Sequence, residues 1–426
     1  MEKILCVGLG KLGLIFSQIL AASGYKVIGY DINLKIKKSI ENNENNLEPY
    51  LNKLIKKNRK NFYFEQNIKS CILNSNIAFL VLPTPSKKNG EFSNQYILNF
   101  IDKICRYLKN KKKYIINITS TVNPGSCEFF IKYIEKKYKL KHGKEFLITY
   151  NPHLIAIGSI YNDVINSDVV LVGSNLKFGH TFLKKIYNKI YKKKNDKVKY
   201  LNLKEAEIAK ITINSYVTMK ISYTNTISQI ADTIKNINTA KIFKAIGFDK
   251  RIGHKYLSLG ALYSGPCFPR DNINFGLFLK KNKLDNSLPL IVDKINNLQL
   301  KRYIKIFKDN KHTIKKPIII GICGLSYKPN SDIVTKSPGY LLMKYFEKKF
   351  KVLFYDEYIS RPIKNQVSSL KELFDKSNFL FLCYKDKNFK KLEQLKSKNQ
   401  KIIVDMWNYI KIKDKHIQIK KIGISY

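Results

Sequence analysis

The 426-residue chain is poor in acid, with 32 Asp and Glu, and has a single tryptophan and four methionines; its seven cysteines show no CxxC spacing. The cysteines (Cys6, Cys71, Cys105, Cys127, Cys267, Cys323, Cys383) are odd in number and scattered, which argues against a disulfide framework or a zinc site. No metal is expected, and a reducing, cytoplasmic setting fits best. No apolar run approaches the ~18 residues of a membrane span, and Met1-Glu2-Lys3 leads directly into an apolar strand pattern without a secretory leader. A membrane partner is therefore not expected.

The scarcity of acid stands against 78 basic residues and a formal net charge of +46. Lysines run along the whole length among Asn, Ile, Tyr and Phe, arginine is scarce, and no recognisable nucleic-acid module occurs. The charge reads as compositional bias that favours anionic substrates, not as a specific nucleic-acid footprint. At roughly 100 to 200 residues per domain the length allows two or three domains.

Apolar runs at 4–7, 26–31, 77–82, 114–118, 146–150 and 169–172 alternate with helical patterns such as 97–108 and 129–138, which predicts a doubly wound parallel sheet to about residue 200. From Lys204 to about Ile237 apolar residues keep helical spacing without Pro or Gly, predicting one long helix that bridges domains or builds a dimer interface. A second helical region covers about 288–307. After Lys315-Lys316-Pro317, runs at 318–324, 352–355, 379–383 and 402–404 predict a smaller second α/β domain. No internal repeat is evident. The expectation is an α/β protein of two Rossmann-like doubly wound domains joined by a long central helix and helical region, divided at 1–200, 201–312 and 313–426.

Gly8-Leu9-Gly10-Lys11-Leu12-Gly13 lies between the first strand and first helix, where three glycines permit a tight turn, backbone approach to a pyrophosphate and close helix packing. Asp31 ends the second strand at the distance expected of a ribose-binding carboxylate, and Ile32-Asn33 offer no Arg for a 2′-phosphate. NAD is the expected cofactor.

Cys267 lies in Gly265-Pro266-Cys267-Phe268-Pro269-Arg270-Asp271, a rigid segment with charge nearby, suited to a reactive thiol as well as to a small buried side chain. Lys210 and Asn214 are four residues apart and share a helix face. Their plain alternative is a solvated lysine beside a polar neighbour. Thr121 is also readable as packing ahead of Asn123-Pro124, which look like an N-cap and first-turn proline; Asp271 as a helix cap; and Lys328 as a turn lysine.

With these segments stand Val81-Leu82-Pro83-Thr84-Pro85, Ser120-Thr121-Val122, Asn151-Pro152 through Gly158-Ser159-Ile160, the helix from Ala206 to Ser222, and Gly324-Leu325-Ser326-Tyr327-Lys328-Pro329-Asn330. In this order they resemble the nucleotide-sugar dehydrogenases of the UDP-glucose/GDP-mannose dehydrogenase family over nearly the whole chain. The resemblance implies a four-electron oxidation of a sugar C6 alcohol to an acid with two NAD used in turn, UDP-glucose being the first expectation and GDP-mannose or a UDP-N-acetylhexosamine the alternatives. It implies Cys267 as nucleophile, Lys210 and Asn214 steadying an oxyanion, and Thr121 and Asp271 orienting water. Lys328 would reach in from the second α/β domain. By the same resemblance Gly8, Gly10, Lys11, Leu12, Gly13, Asp31, Pro83, Thr84, Thr121 and Arg270 would meet the cofactor; Asn151, Lys210, Asn214, Gly265 and Lys328 the substrate. A homodimer paired through the central region is implied as well.

Four departures stand out. His153 replaces a glutamate expected to serve as base or water holder, and an ordinary imidazole takes a proton near pH 7. Ile157 replaces a second glutamate, so a homologue that binds NAD and nucleotide sugar but is impaired in hydrolysis is the other expectation. Arg270 stands where lysine is common, and Asp405-Met406-Trp407-Asn408 replaces the usual aspartate, glycine, arginine pattern.

Overall fold

The computed structural model describes residues 2–44, 50–109, 111–192, 196–359 and 363–425, and the chain forms two compact units, Met1–Thr212 and Ile213–Tyr426. The first unit is built on an eight-stranded sheet: β1 Lys3–Val7, β2 Lys26–Tyr30, β3 Phe62–Phe64, β4 Ile77–Leu80, β5 Tyr114–Ile118, β6 Phe146–Tyr150, β7 Val170–Gly173 and β8 Val198–Leu201. The strand order is β3-β2-β1-β4-β5-β6-β7-β8. Strands such as Tyr-Ile-Ile-Asn-Ile in β5 are buried throughout, as a sheet covered on both faces requires. Alternate residues feed two cores: Ile4 and Cys6 enter one, Leu5 and Val7 the other. The sheet is not wholly parallel as predicted, because β7 meets β6 antiparallel through the single pair Tyr150–Gly173, after which β8 runs parallel to β7. The short strands β3 and β8 were not legible as apolar runs.

Helices α1 Lys11–Ala22 and α2 Ser126–Tyr138 belong to this unit, and α3 Leu203–Ser228 begins in it. The long helix stops at Ser228, well short of the predicted Ile237, and is followed by a single 3-10 turn, Gln229–Asp232. Thr218, Thr224, Thr226 and Ser228 bond their hydroxyls back to carbonyls three or four residues earlier, which weakens a helix. Arg302 then satisfies the end, donating to Ser228 Oγ at 2.7 Å, Ser228 O at 3.1 Å and Asp232 at 2.5 Å.

The second unit continues with α4 Thr239–Ile246, capped by Asn238, then α5 Phe268–Lys281 and α6 Ser287–Asn310. Its sheet is wholly parallel, comprising β9 Ile319–Cys323, β10 Lys351–Tyr355, β11 Phe379–Leu382, β12 Lys401–Asp405 and β13 Ile417–Lys421 in the order β10-β9-β11-β12-β13. Helix α7, Pro338–Phe346, follows β9.

The two sheets share a local design that the sequence-based reading missed. Lys26-Val27-Ile28-Gly29-Tyr30-Asp31 and Lys351-Val352-Leu353-Phe354-Tyr355-Asp356 occupy equivalent strands, Val7 pairing with Tyr30 as Cys323 pairs with Tyr355. Gly8 and Gly324 both adopt positive φ, +85° and +91°, and each donates its N–H at 2.9 Å to the tyrosine carbonyl. The next residue donates to the aspartate in both cases, Leu9 to Asp31 at 2.7 Å and Leu325 to Asp356 at 2.8 Å. A Cβ on Gly13 would sit 1.8 Å from Gly8 O, and one on Gly339 would sit 2.1 Å from Gly324 O. The repeat is hidden because the third glycine comes five residues after the first in one unit and fifteen after it in the other.

Candidate active site

In each sheet the strand order reverses beside the glycine turn, between β1 and β4 and between β9 and β11, where open α/β sheets bind ligands. In the first unit Gly8 passes so close to the end of β4 that a Cβ would lie 2.3 Å from Val81 O. A Cβ on Gly10, by contrast, would meet nothing within 4 Å among the described residues. Among those residues no side chain caps α1, and its first turn holds no acid. The N–H groups of the helix start and the space above Gly10 fit a dinucleotide pyrophosphate. Asp31 binds Leu9 N through Oδ2 and Asn33 N through Oδ1, and being only partly buried it keeps lone pairs for ribose hydroxyls. The residues present therefore fit NAD.

The predicted loops converge on this strand edge. Thr84 is buried and donates to Thr121 O at 2.7 Å, and Ser120 Oγ both donates to Leu82 O at 2.6 Å and accepts Leu82 N at 2.9 Å. Pro83 lies within the loop so held. Asn123 is not the predicted N-cap: its amide exchanges two hydrogen bonds with the backbone of Phe92, and α2 begins after Gly125. Asn151 is fully buried, donating to Leu171 O at 2.7 Å and accepting from Tyr187 Oη at 2.5 Å. Its side chain is thus a brace between elements, and its N–H donates to Ile118 O at 2.8 Å.

Lys210 is 6% exposed, which removes the solvated-lysine reading. His153 packs its ring on Phe16 at 4.4 Å between centroids, and its Nε2 has no hydrogen-bond partner among the described residues. Burial first, and the Lys210 ammonium second, push the imidazole down to about 4. This corrects the expectation of an imidazole titrating near pH 7. His153 is a neutral base with the proton affinity of an ordinary carboxylate.

In the second unit Cys267 is exposed and immediately precedes α5, whose first turn closes through Asp271 N to Cys267 O at 2.9 Å. The other six cysteines are buried, and burial raises the thiols of Cys6, Cys71, Cys105, Cys127, Cys323 and Cys383. The alternative reading of Asp271 as a helix cap does not hold, since its buried carboxylate accepts from Asn214 Nδ2 at 2.6 Å and lies 3.6 Å from Arg270 Nε. Asn214, on α3, is thereby fixed in rotamer beside the start of α5.

Gly265 adopts φ +80°, and a Cβ there would strike the Tyr327 ring at 2.6 Å. Its N–H donates to Thr335 O at 3.0 Å. The lysine-bearing loop after β9 is thus fastened to the cysteine segment, with the Lys328 ammonium 5.7 Å from the Tyr327 ring centre. Trp407, half-buried after β12, donates Nε1–H to Cys383 O at 3.1 Å and lies under the Lys385 ammonium at 5.2 Å.

Sequence reasoning passed over Tyr327, Asp356 and Glu207. Asp356 had a signal in the shared Tyr-Asp strand ending, and Glu207 in its position three residues before Lys210 on the same helix face.

Three family models match the chain in order: the UDP-glucose/GDP-mannose dehydrogenase family NAD binding domain over residues 2–191, the central domain over 204–298 and the UDP binding domain over 321–412. A UDP-glucose 6-dehydrogenase of Rickettsia prowazekii is 30% identical over 343 residues, covering 79% of this chain and 76% of that protein. Among solved structures, a UDP-glucose dehydrogenase from Pyrobaculum islandicum superposes with a TM-score of 0.86 at 22% identity, covering 98% of this chain and 97% of that one. A UDP-D-ManNAc dehydrogenase from Pyrococcus horikoshii gives 0.86 at 21% identity, covering 99% of each.

Proposed function

From the premise that this chain belongs to the UDP-glucose/GDP-mannose dehydrogenase family of NAD-dependent nucleotide-sugar dehydrogenases, we propose that it oxidises the C6 alcohol of UDP-glucose to the carboxylate of UDP-glucuronate. The observation that carries the reading is Cys267, the one exposed cysteine, placed at the start of α5 beside the Asn214–Asp271 pair.

NAD, when bound, accepts one hydride at each of two oxidation stages. The chain's own groups do the rest. The Cys267 thiolate adds to the C6 aldehyde carbon, and loss of hydride from that adduct leaves a thioester. Water then attacks the carbonyl, the C–S bond breaks, and the thiolate is regenerated with the acid. Lys210 and the second N–H of the Asn214 amide suit the oxygen that gains charge in both additions. Asp271 holds Asn214 in place, and Thr121 and His153 are the groups assigned to the attacking water. Lys328 serves the anionic nucleotide half. A homodimer accords with the exposed apolar side chains of Tyr216 and Tyr223 on α3 and of Leu288, Ile291 and Leu298 on α6. A cytoplasmic role in supplying uronic acid for surface polysaccharide completes the reading.

Purified protein incubated with NAD and UDP-glucose, GDP-mannose or UDP-N-acetylhexosamines in turn is expected to form two NADH per sugar on UDP-glucose alone, and Cys267→Ser to abolish turnover. Two NADH on another sugar nucleotide instead would replace the substrate. His153 and Ile157 favour a second reading, in which hydrolysis is impaired. A single NADH burst with a sugar adduct on Cys267 by intact mass would establish it.

A further inference from the structure

Helix α3 caps its own start. Asn202 Oδ1 accepts Glu205 N and Glu205 Oε2 accepts Asn202 N, both at 2.8 Å. Glu207, fully buried in the turn that follows, is therefore not needed there, and its carboxylate goes to another helix. Oε2 accepts Gly125 N at 2.5 Å and Oε1 accepts Cys127 N at 2.7 Å, satisfying two N–H groups at the start of α2, where Gly125 in the capping position brings no side chain of its own. Gly125 holds φ +90° at this point. A second tie, Glu128 to Lys204 at 3.1 Å, joins the same two helix starts at the surface.

The segment that enters α2 is Ser120-Thr121-Val122-Asn123-Pro124. Its front end is fixed to the end of β4 through Ser120 and Thr84, and its back end is fixed by Glu207. Three residues after Glu207, on the same face of α3, stands Lys210. We propose that Glu207 is a positioning residue which holds the Thr121 segment in register with Lys210, so that the cofactor edge and the oxyanion lysine are set by one buried carboxylate. The assignment rests on the roles given above to Thr121 and Lys210. A carboxylate suits the task because it accepts at both oxygens and its charge faces the positive end of α2.

An amide accepts at one end only and turns a donor toward the second N–H. Glu207→Gln is therefore expected to lower kcat at least tenfold and to raise the Kd for NAD several-fold, measured by calorimetry well below the melting temperature, with the KM for sugar nucleotide within about twofold of wild type. Glu207→Asp keeps the charge but withdraws it by one methylene, and should recover part of the loss. Glu128→Gln, which breaks only the exposed tie, is expected to leave kcat and NAD affinity within twofold. The proposal is overturned if Glu207→Gln lowers the melting temperature while kcat and NAD affinity stay within twofold, since that is the signature of a merely structural cap. Should Glu207→Gln fail to fold, Glu207→Asp decides on the same criteria. NAD affinity needs no sugar, so a wild type that turns over no sugar nucleotide would sink the proposed reaction while leaving this measurement readable.

Discussion

Replacing His153 by Gln removes a titrating group from a site that strongly disfavours its protonation. The imidazole is held down from its ordinary 6.5 to about 4, by burial first and by Lys210 second. In the unfolded chain the ring takes a proton near 6.5, whereas in the folded chain it stays neutral until about 4. The unfolded state thus binds more protons across this window, so stability present above 6.5 is lost as pH falls toward 4. The full shift corresponds to about 3 kcal/mol. Because the residue as a whole is only partly buried, on the order of 1 to 2 kcal/mol is expected after screening. Urea unfolding of the full-length protein, followed by amide hydrogen exchange on first-unit peptides at about pH 7 and about pH 4.5, measures this directly. Wild type should lose stability on acidification by that margin more than His153→Gln. Parallel losses in the two proteins would refute the assignment of His153 as a neutral, buried base beside Lys210.

Two glycines separate fold from cofactor. Gly13→Ala places a methyl 1.8 Å from Gly8 O and should lower both melting temperature and NAD affinity, whereas Gly10→Ala meets nothing within 4 Å and should weaken NAD binding at least tenfold with the melting temperature unchanged; equal effects on stability would contradict the assignment of that space. Gly265→Ala combines φ +80° with a contact of 2.6 Å to the Tyr327 ring, so turnover should fall with NAD affinity unchanged, and recovery in Gly265→Ala with Tyr327→Ala tests whether the ring is the obstacle. Asp356→Asn turns an amide donor toward one of the backbone N–H groups that the carboxylate accepts. It should cost about 1 to 3 kcal/mol of second-unit stability, visible in hydrogen exchange of the β9 and β10 peptides; no change there would count against the turn's dependence on that charge.

Much of the candidate site was legible because its residues combine unusual chemistry with short-range spacing. Gly8, Gly10 and Gly13 announce a turn between a strand and a helix, Cys267 sits among prolines, and Lys210 and Asn214 fall one helical turn apart. What escaped notice depends on partners far away in sequence. Glu207 caps a helix that begins some eighty residues earlier, and Asn123 looks like a cap until Phe92 takes its amide. The end of α3 was hidden for the same reason: isoleucine spacing continues to Ile237, while the last carbonyl is met by Arg302, 74 residues away in sequence. His153 was visible as a departure, yet its base strength is set by Phe16, Lys210 and burial, none of which neighbour it in sequence.

The two glycine turns share a backbone plan and differ in what they leave open. Both present a glycine with positive φ followed by leucine, and both place an aspartate after the second strand. In the first, Gly10 leaves the approach to the helix start open, and Asp31 makes two backbone bonds while partly exposed. In the second, Ser326 takes the place of the middle glycine. Asp356 Oδ2 accepts Leu325 N, Ser326 N and Ser326 Oγ, its Oδ1 accepts Tyr358 N, and the group is 2% exposed. A carboxylate so occupied has little left for a ribose. The ten additional residues before Gly339 add the loop that carries Lys328 between the glycine turn and the helix, whose second residue, Gly339, still packs against Gly324 O. Backbone N–H groups at a helix start suit a pyrophosphate approached closely, whereas a lysine on a loop offers a point charge at longer reach. The second turn is therefore a dinucleotide-type cradle closed by its own aspartate and serine.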